Sequence, residues 1–279
     1  MAKCKQCGKW GLFIKLDASG ICSNCQIKNK EAEARLVARL AFLKQQEEKA
    51  LAAIAAIPRV EIKISDIKIK NRALSELANI KYSNITPKGT YEEFVVIDTE
   101  TTGIAPSKDK IIELSAVRFV DEKPVSMFTT LVNPQCPIPK GATIMNHISD
   151  EMVAKAPTIH QVMPAFDEFI GKSNIVGHNL EFDLKFIHKN GSSIIDTKRK
   201  YFCTMKQAQK LLKKPKRKWD PEYEMYEIDY DSDYDVEDHK LGTLCDYFNI
   251  CIPEHHRAYV DAYCTGLLFL ALIDLKQNG

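Results

Sequence analysis

The opening Met1-Ala2-Lys3-Cys4-Lys5 has no apolar core behind its positive charges, and the longest apolar run, Val260 to Leu275, is broken by Asp261 and Asp274. A secretory signal needs the first and a membrane span needs about 20 uninterrupted apolar residues, so the sequence predicts a soluble, cytoplasmic chain with no membrane partner. No internal repeat is visible either. A bias toward one charge is also missing, with 39 Lys and Arg against 37 Asp and Glu in 279 residues. The 45% hydrophobic and 27% charged fractions are those of an ordinary globular protein, which excludes collagen, a coiled-coil rod or disorder as descriptions of the whole chain. The length corresponds to one large or two small domains.

The near-zero net charge conceals a division. Residues 1–90 hold 17 Lys and Arg against 8 Asp and Glu, whereas residues 91–279 hold 22 against 29. A basic arm is therefore attached to an acidic body, and such an arm suits a polyanionic partner.

The nine cysteines are an odd number with no signal peptide, which argues against a disulfide framework. Cys136, Cys203, Cys245, Cys251 and Cys264 are scattered among apolar neighbours and read as small buried hydrophobes. Cys4, Cys7, Cys22 and Cys25 differ, because they spell C-x2-C-x14-C-x2-C. Two such turns present four thiolates to one ion and complete the tetrahedral shell of a structural zinc. Gly8 and Gly20 supply the tight backbone. With few core candidates (Trp10, Leu12, Phe13, Ile14, Leu16, Ile21), residues 1–27 need the ion in order to fold as a zinc ribbon. A redox dithiol pair would sit on a βα unit, which is absent here.

Residues 28–57 contain no Gly or Pro and are rich in Ala, Glu, Lys, Leu and Arg, so they predict one helix stopped by Pro58. Leu36, Leu40, Leu43, Glu47, Ala50, Ile54 and Ile57 make a heptad seam with Glu47 as its fault. The seam fits either a homodimer or packing against the body. Residues 58–90 alternate short β-like stretches (Val60 to Ile64, Ile67 to Ile69) with polar residues up to Pro87-Lys88-Gly89, and read as a linker. From 91 to 279 the pattern is α/β. Strands are expected at Glu93 to Ile97, Ile111 to Val120 and Val125 to Val132, the last two joined across Asp121-Glu122-Lys123-Pro124, and at Asn174 to Gly177 and Tyr201 to Cys203. Helices are expected around Asp150 to Ala154, over Gln161 to Ile170 and Glu181 to Lys189, through Leu212, and over Lys240 to Phe248 and Ala258 to Leu275. A hairpin followed by strand–helix alternation makes a mixed sheet flanked by helices.

Residues 220–238 read as an insertion: ten acids, no Lys or Arg, and Tyr223, Tyr226, Tyr230 and Tyr234 interleaved, directly after the basic run Lys213 to Lys218. The Asp229, Asp231, Asp233 ladder is not a calcium loop, because Tyr234 stands where glycine is needed and Lys240 where a carboxylate is needed. A disordered or loosely hairpinned loop is expected. An acidic flap that screens the active site or competes with nucleic acid for the basic residues is the alternative.

The strand Phe94-Val95-Val96-Ile97 runs into Asp98-Thr99-Glu100-Thr101-Thr102-Gly103. Side chains alternate along a strand, so Asp98 and Glu100 share one face, and paired carboxylates are unfavourable unless a cation neutralises them. Asp183 falls on the first turn of the helix after the fourth strand. Asp261 falls on the last helix, with His256 five residues before it. In this order the motifs resemble those of the DnaQ-like, DEDDh-type 3′–5′ exonuclease family, which includes the proofreading epsilon subunit of bacterial DNA polymerase III. Residues 91–279 carry the likeness, including Ile144-Met145-Asn146-His147-Ile148 and Ala156-Pro157-Thr158, and Arg257 in place of tyrosine assigns the histidine branch.

The resemblance implies a ribonuclease H-like fold and hydrolysis of DNA from its 3′ end. It implies that Asp98, Glu100, Asp183 and Asp261 hold two Mg²⁺ or Mn²⁺, that His256 takes the proton of the attacking water, and that the backbone of Thr99, Thr101, Thr102 and Gly103 with Asn179 and Phe182 contacts the terminal nucleotide. His255 is a weaker candidate base, and His178 reads as structural. The zinc ribbon and the acidic insertion are absent from the polymerase subunit. They leave the partner open among nucleic acid, a polymerase or repair protein, and a second copy through residues 28–57. RNA is the alternative substrate, since these motifs bind a generic 3′ end. An interaction protein using the fold as a scaffold is the alternative from another class, although it offers no reason to keep so many polar groups together.

Overall fold

At its start the chain folds back on itself. Strand β1 (Ala2–Lys3) pairs antiparallel with β2 (Trp10–Gly11), Leu16 bridges Cys22, and helix α1 runs from Ser23 to Ala55. The computed structural model describes residues 2–11, 15–66, 69–86, 91–195, 198–253 and 256–278, in two compact units, Met1–Lys49 and Ala50–Gly279. Leu12, Phe13, Ile14, Ile67, Pro87 to Gly89 and His255 lie outside the described residues. The helix begins at Ser23-Asn24, residue types that favour helix starts, so Cys25 stands on its first turn rather than in a separate ribbon. The seam divides: Leu36, Leu40 and Leu43 are exposed, whereas Ile54 and Ile57 are buried in the core of the second unit.

The second unit contains β3 (Glu93–Thr101), β4 (Ile111–Val120), β5 (Lys123–Leu131), α2 (Lys140–Asn146), α3 (Asp150–Val153), α4 (Ile159–Ile170), β6 (Asn174–Gly177), α5 (Glu181–Lys189), β7 (Tyr201–Cys203), α6 (Thr204–Leu211), β8 (Lys216–Asp220), β9 (Met225–Asp229), α7 (Leu241–Tyr247) and α8 (Ala258–Asn278). The main sheet has the order β5-β4-β3-β6-β7, antiparallel among the first three strands and parallel thereafter. Asp121 and Glu122 both take positive φ, as a two-residue hairpin loop requires, so β5 starts at Lys123, earlier than its apolar residues suggest. Central β3 is buried on both faces: Phe94 and Val96 pack with Phe119 and Phe269 of α8, while Val95 and Ile97 pack with Val162, Phe166, Leu184 and Ile187 of α4 and α5. Helix α8 is long and apolar enough to cross a membrane, but its apolar side chains line this core.

Residues 58–86 are not a free linker. Val60 N donates to Met127 O of edge strand β5 (2.9 Å), Ser65 N to Gln161 O of α4 (3.0 Å), and Ser83 N to Tyr201 O of edge strand β7 (2.8 Å). Between them a 3₁₀ turn, Leu74–Asn79, sits beside α5, where the buried His188 Nε2 meets Ala73 O at 3.1 Å. The segment covers main-chain groups of both edge strands, which a sheet otherwise leaves open to other chains.

The acidic segment is a hairpin made with the basic run before it. The β8–β9 register sets Lys216 opposite Asp229 and Lys218 opposite Glu227, and Lys218 Nζ lies 3.3 Å from Glu227. Lys213 pairs with Asp233 at 2.8 Å. These acids thus face the hairpin's own lysines. The alternate face carries Arg217, Trp219, Tyr226 and Ile228, all exposed, with the Trp219 and Tyr226 rings 5.1 Å apart. Among the scattered cysteines, Cys203, Cys245 and Cys264 are buried, but Cys136 is exposed on a loop.

Candidate active site

The apolar run of β3 ends where the sheet opens. Alternation puts Asp98 and Glu100 on the α8 side, in line with Phe94 and Val96, and the register between β3 and β4 shifts just after Glu100. Helix α8 delivers Asp261 on its first turn, and the ligand atoms of Glu100, Asp261 and His256 lie within 4.8 Å of one another. Asp183 reaches the same strand end from α5, where its Oδ1 accepts a hydrogen bond from Thr99 Oγ1 at 2.7 Å. Asp183 is 3% and Asp261 9% exposed, while His256 is exposed at the mouth.

Burial is the main cause of every perturbation here. It pushes the Asp98 carboxyl well above its ordinary range, with Asp183, Asp261 and Glu100 adding like-charge repulsion. Glu100 rises to about 9 through burial and then Asp261, Glu113 and Asp183, with Arg257 opposing. Asp183 rises to about 7 by burial against its hydrogen bond from Thr99, and Asp261 to about 7 by burial against a backbone hydrogen bond from His256. Asp261 Oδ1 is buried with no hydrogen-bond partner. Four carboxylates that burial and mutual repulsion keep from ionising together, one with an orphaned oxygen, form a donor set that fits hard divalent cations.

The substrate-binding candidates lie around this cluster. The hydroxyls of Thr99 and Thr102 are engaged internally, the first on Asp183 and the second accepting from Lys110 N at 3.0 Å, and Thr102 N in turn donates to Lys110 O at 2.9 Å. Thr101 Oγ1 donates to Gly103 O at 2.6 Å. Asn179 has φ 55°, two residues before α5, and half-buried Phe182 stacks obliquely on Phe186 at 4.9 Å.

Sequence reasoning passed over two residues that shape the site. Glu113 stands opposite Glu100 in the register and binds the residues that open α8; a lone acid in the apolar strand Ile111-Ile112-Glu113-Leu114 was the available signal. Buried Asn146, at the end of α2, reaches Thr101 O at 3.5 Å and accepts from Ile148 N. His178 is a framework residue: its Nδ1 lies 2.9 Å from Thr204 Oγ1, and burial lowers its pKa to about 4.

In the first unit the four N-terminal cysteines converge with all Sγ atoms within 4.8 Å, and both Cys4–Cys25 and Cys7–Cys22 are separated by 3.9 Å. Zinc–sulfur bonds of ~2.3 Å arranged tetrahedrally give an S···S edge of ~3.8 Å, so the set fits zinc. Backbone N–H groups of Cys7 and Cys22 draw the Cys4 thiol down to about 6, while burial and the neighbouring thiols push Cys25 up to about 12. Gly8 and Gly20 take φ of +72° and +80°, conformations that L side chains rarely adopt.

A family model described as Exonuclease matches residues 95–269, from β3 into α8. The chain belongs to the Exonuclease family. The match encloses all four clustered carboxylates and His256. The PolC-type DNA polymerase III of Caldanaerobacter subterraneus is 33% identical over 187 residues, covering 67% of this chain and 12% of that protein. Its counterpart from Clostridium perfringens is 36% identical over 175 residues, covering 63% and 11%. The chain thus spans about an eighth of the length of these relatives. E. coli exonuclease I, solved in complex with a dT13 oligonucleotide, superposes with a TM-score of 0.50 at 17% identity over 65% of this chain and 40% of that one. That likeness concerns the fold: a ribonuclease H-like mixed sheet flanked by helices. Exonuclease-family chemistry and the carboxylate cluster thus belong to the same domain.

Proposed function

We propose that the protein is a 3′–5′ exonuclease that hydrolyses phosphodiester bonds at DNA 3′ ends in the cytoplasm. The observation that carries the reading is the convergence of Asp98, Glu100, Asp183 and Asp261 from three separate elements onto one strand end, with Asp261 Oδ1 unsatisfied. These four residues would hold two Mg²⁺ or Mn²⁺. When bound, such ions activate water and stabilise the attacking and leaving oxygens of an in-line displacement. His256, exposed beside Glu100 and Asp261, accepts the proton of the attacking water. The backbone from Thr99 to Gly103, with Asn179 and Phe182, seats the terminal nucleotide. Kinship with PolC-type polymerases favours DNA over RNA and a polymerase or repair protein as partner.

The N-terminal unit binds one structural zinc through Cys4, Cys7, Cys22 and Cys25, and its basic residues hold nucleic acid. The exposed Leu36, Leu40 and Leu43 stripe of α1 takes a partner helix, a second copy of this chain being one. Cys22→Ser should release the zinc, measured as metal per protein, yet leave activity on short oligomers within about threefold, because the cluster lies outside the matched residues 95–269. Loss of short-oligomer activity together with the zinc would place the metal inside the catalytic fold.

Matched 5′-labelled DNA and RNA oligomers, incubated with Mg²⁺, with Mn²⁺ and without added metal, test the substrate. A ladder shortening from the 3′ end of DNA, only with metal, is expected. Faster shortening of RNA would transfer the reading to an exoribonuclease, and an intact ladder on both would defeat it.

A further inference from the structure

Glu113 is 2% exposed in the middle strand of the β5-β4-β3 group. A buried carboxylate facing Glu100 across the ladder is unfavourable unless a cation answers it. Arg257 supplies that cation in forked geometry: its Nε lies 3.2 Å from Oε2 and its Nη2 2.9 Å from Oε1. The same Oε2 accepts the backbone N–H of Ala258, the first residue of α8, at 2.9 Å. Arg257 is also the turn on which the helix is built, because its carbonyl accepts the N–H groups of Val260 (2.8 Å) and Asp261 (3.0 Å). Immediately before it, His256 adopts φ 61°, a backbone state that a residue with a side chain keeps only when its surroundings fix it. A second brace is the Tyr259 ring, with the guanidinium of Arg257 at 5.2 Å and that of Arg59 at 5.8 Å from its centroid.

We propose that Glu113 and Arg257 are positioning residues that tie the first turn of α8 to the sheet and thereby set His256 against Glu100 and Asp261. The inference rests on the nuclease reading and deepens it. Strand β4 is hydrogen-bonded on both sides, so Glu113 offers a fixed point, and the planar two-pronged guanidinium transmits direction as well as charge. A lysine at 257 would keep the charge and lose the direction.

The test is a double-mutant cycle on a short DNA oligomer at saturating Mn²⁺. Glu113→Gln and Arg257→Met are each expected to lower kcat by about 10²-fold, as a displacement near 1 Å at a reacting group does, with KM changed less than about threefold. Arg257→Lys should regain about tenfold. In a His256→Ala background the same substitutions should cost less than about threefold, since the group they aim is already gone. Equal losses in both backgrounds, or an unchanged kcat, would overturn the proposal and leave the pair a simple brace for the helix. Should Glu113→Gln not fold, judged by its melting curve, Arg257→Met completes the cycle alone, its side chain being 19% exposed. An inactive wild-type protein would instead overturn the nuclease reading itself.

Discussion

A His256→Ala variant should retain Mn²⁺ affinity and lose about 10²–10⁴-fold in kcat, the usual contribution of a positioned general base. The imidazole is exposed at the mouth of the cluster and lies within 4.8 Å of Glu100 and Asp261, near enough to take a proton from a water in their midst. A neutral imidazole accepts that proton and an imidazolium does not, so the wild-type rate should fall toward acid pH. The variant should lack that acid limb. Asp98→Ala should behave differently, losing metal affinity and activity together, because Asp98 is one of the four carboxylates that would hold the cations. Rescue of the His256 variant by excess Mn²⁺ would make the histidine a ligand, and an equal loss on His255→Ala would move the base to its neighbour.

Without added Mg²⁺ or Mn²⁺, the protein should lose thermal stability as pH rises. Asp183 and Asp261 titrate near about 7, Glu100 near about 9, and all three sit near 4 when the chain is unfolded. The native state therefore binds more protons than the unfolded chain between about pH 4 and pH 9, and linkage makes stability fall with pH across that window. The melting temperature should accordingly decline from pH 5 to pH 8.5. Added Mn²⁺ should raise it strongly at pH 8.5 and hardly at pH 5, where the carboxyl groups hold protons. An Asp183→Asn, Asp261→Asn variant should show a flatter decline and little metal response. A wild-type melting temperature that rises with pH relative to that variant would contradict the assigned burial of charge.

Local regularities explain what was legible beforehand. Short apolar runs marked the strands, and the D-x-E pair at the end of Phe94-Val95-Val96-Ile97 pointed to a strand terminus holding a cation. Four cysteines at C-x2-C spacing announced their own cluster. Long-range pairing was the hidden part. Residues 58–86 look like a tether because their apolar residues come in short stretches alternating with polar ones, and the main-chain bonds that dock them on the edge strands leave no trace in side-chain pattern. The acid-rich segment reads as disordered or loosely hairpinned because its charges, counted alone, omit the lysines that its register places opposite. Seam residues Ile54 and Ile57 carry the heptad spacing but lie buried in the exonuclease core, and spacing does not distinguish the two uses. Glu113 was passed over for the same reason: its partner is 144 residues away.

Release of the terminal nucleotide is the most direct measure of the central claim. A DNA oligomer labelled only in its last nucleotide, incubated with the protein and Mg²⁺, should yield that label as a nucleoside monophosphate before any shorter internal fragment appears. The release should stop when Mg²⁺ is withheld and should be absent in Asp98→Ala. Label released without a divalent cation, or first appearing in oligonucleotide fragments, would contradict the account.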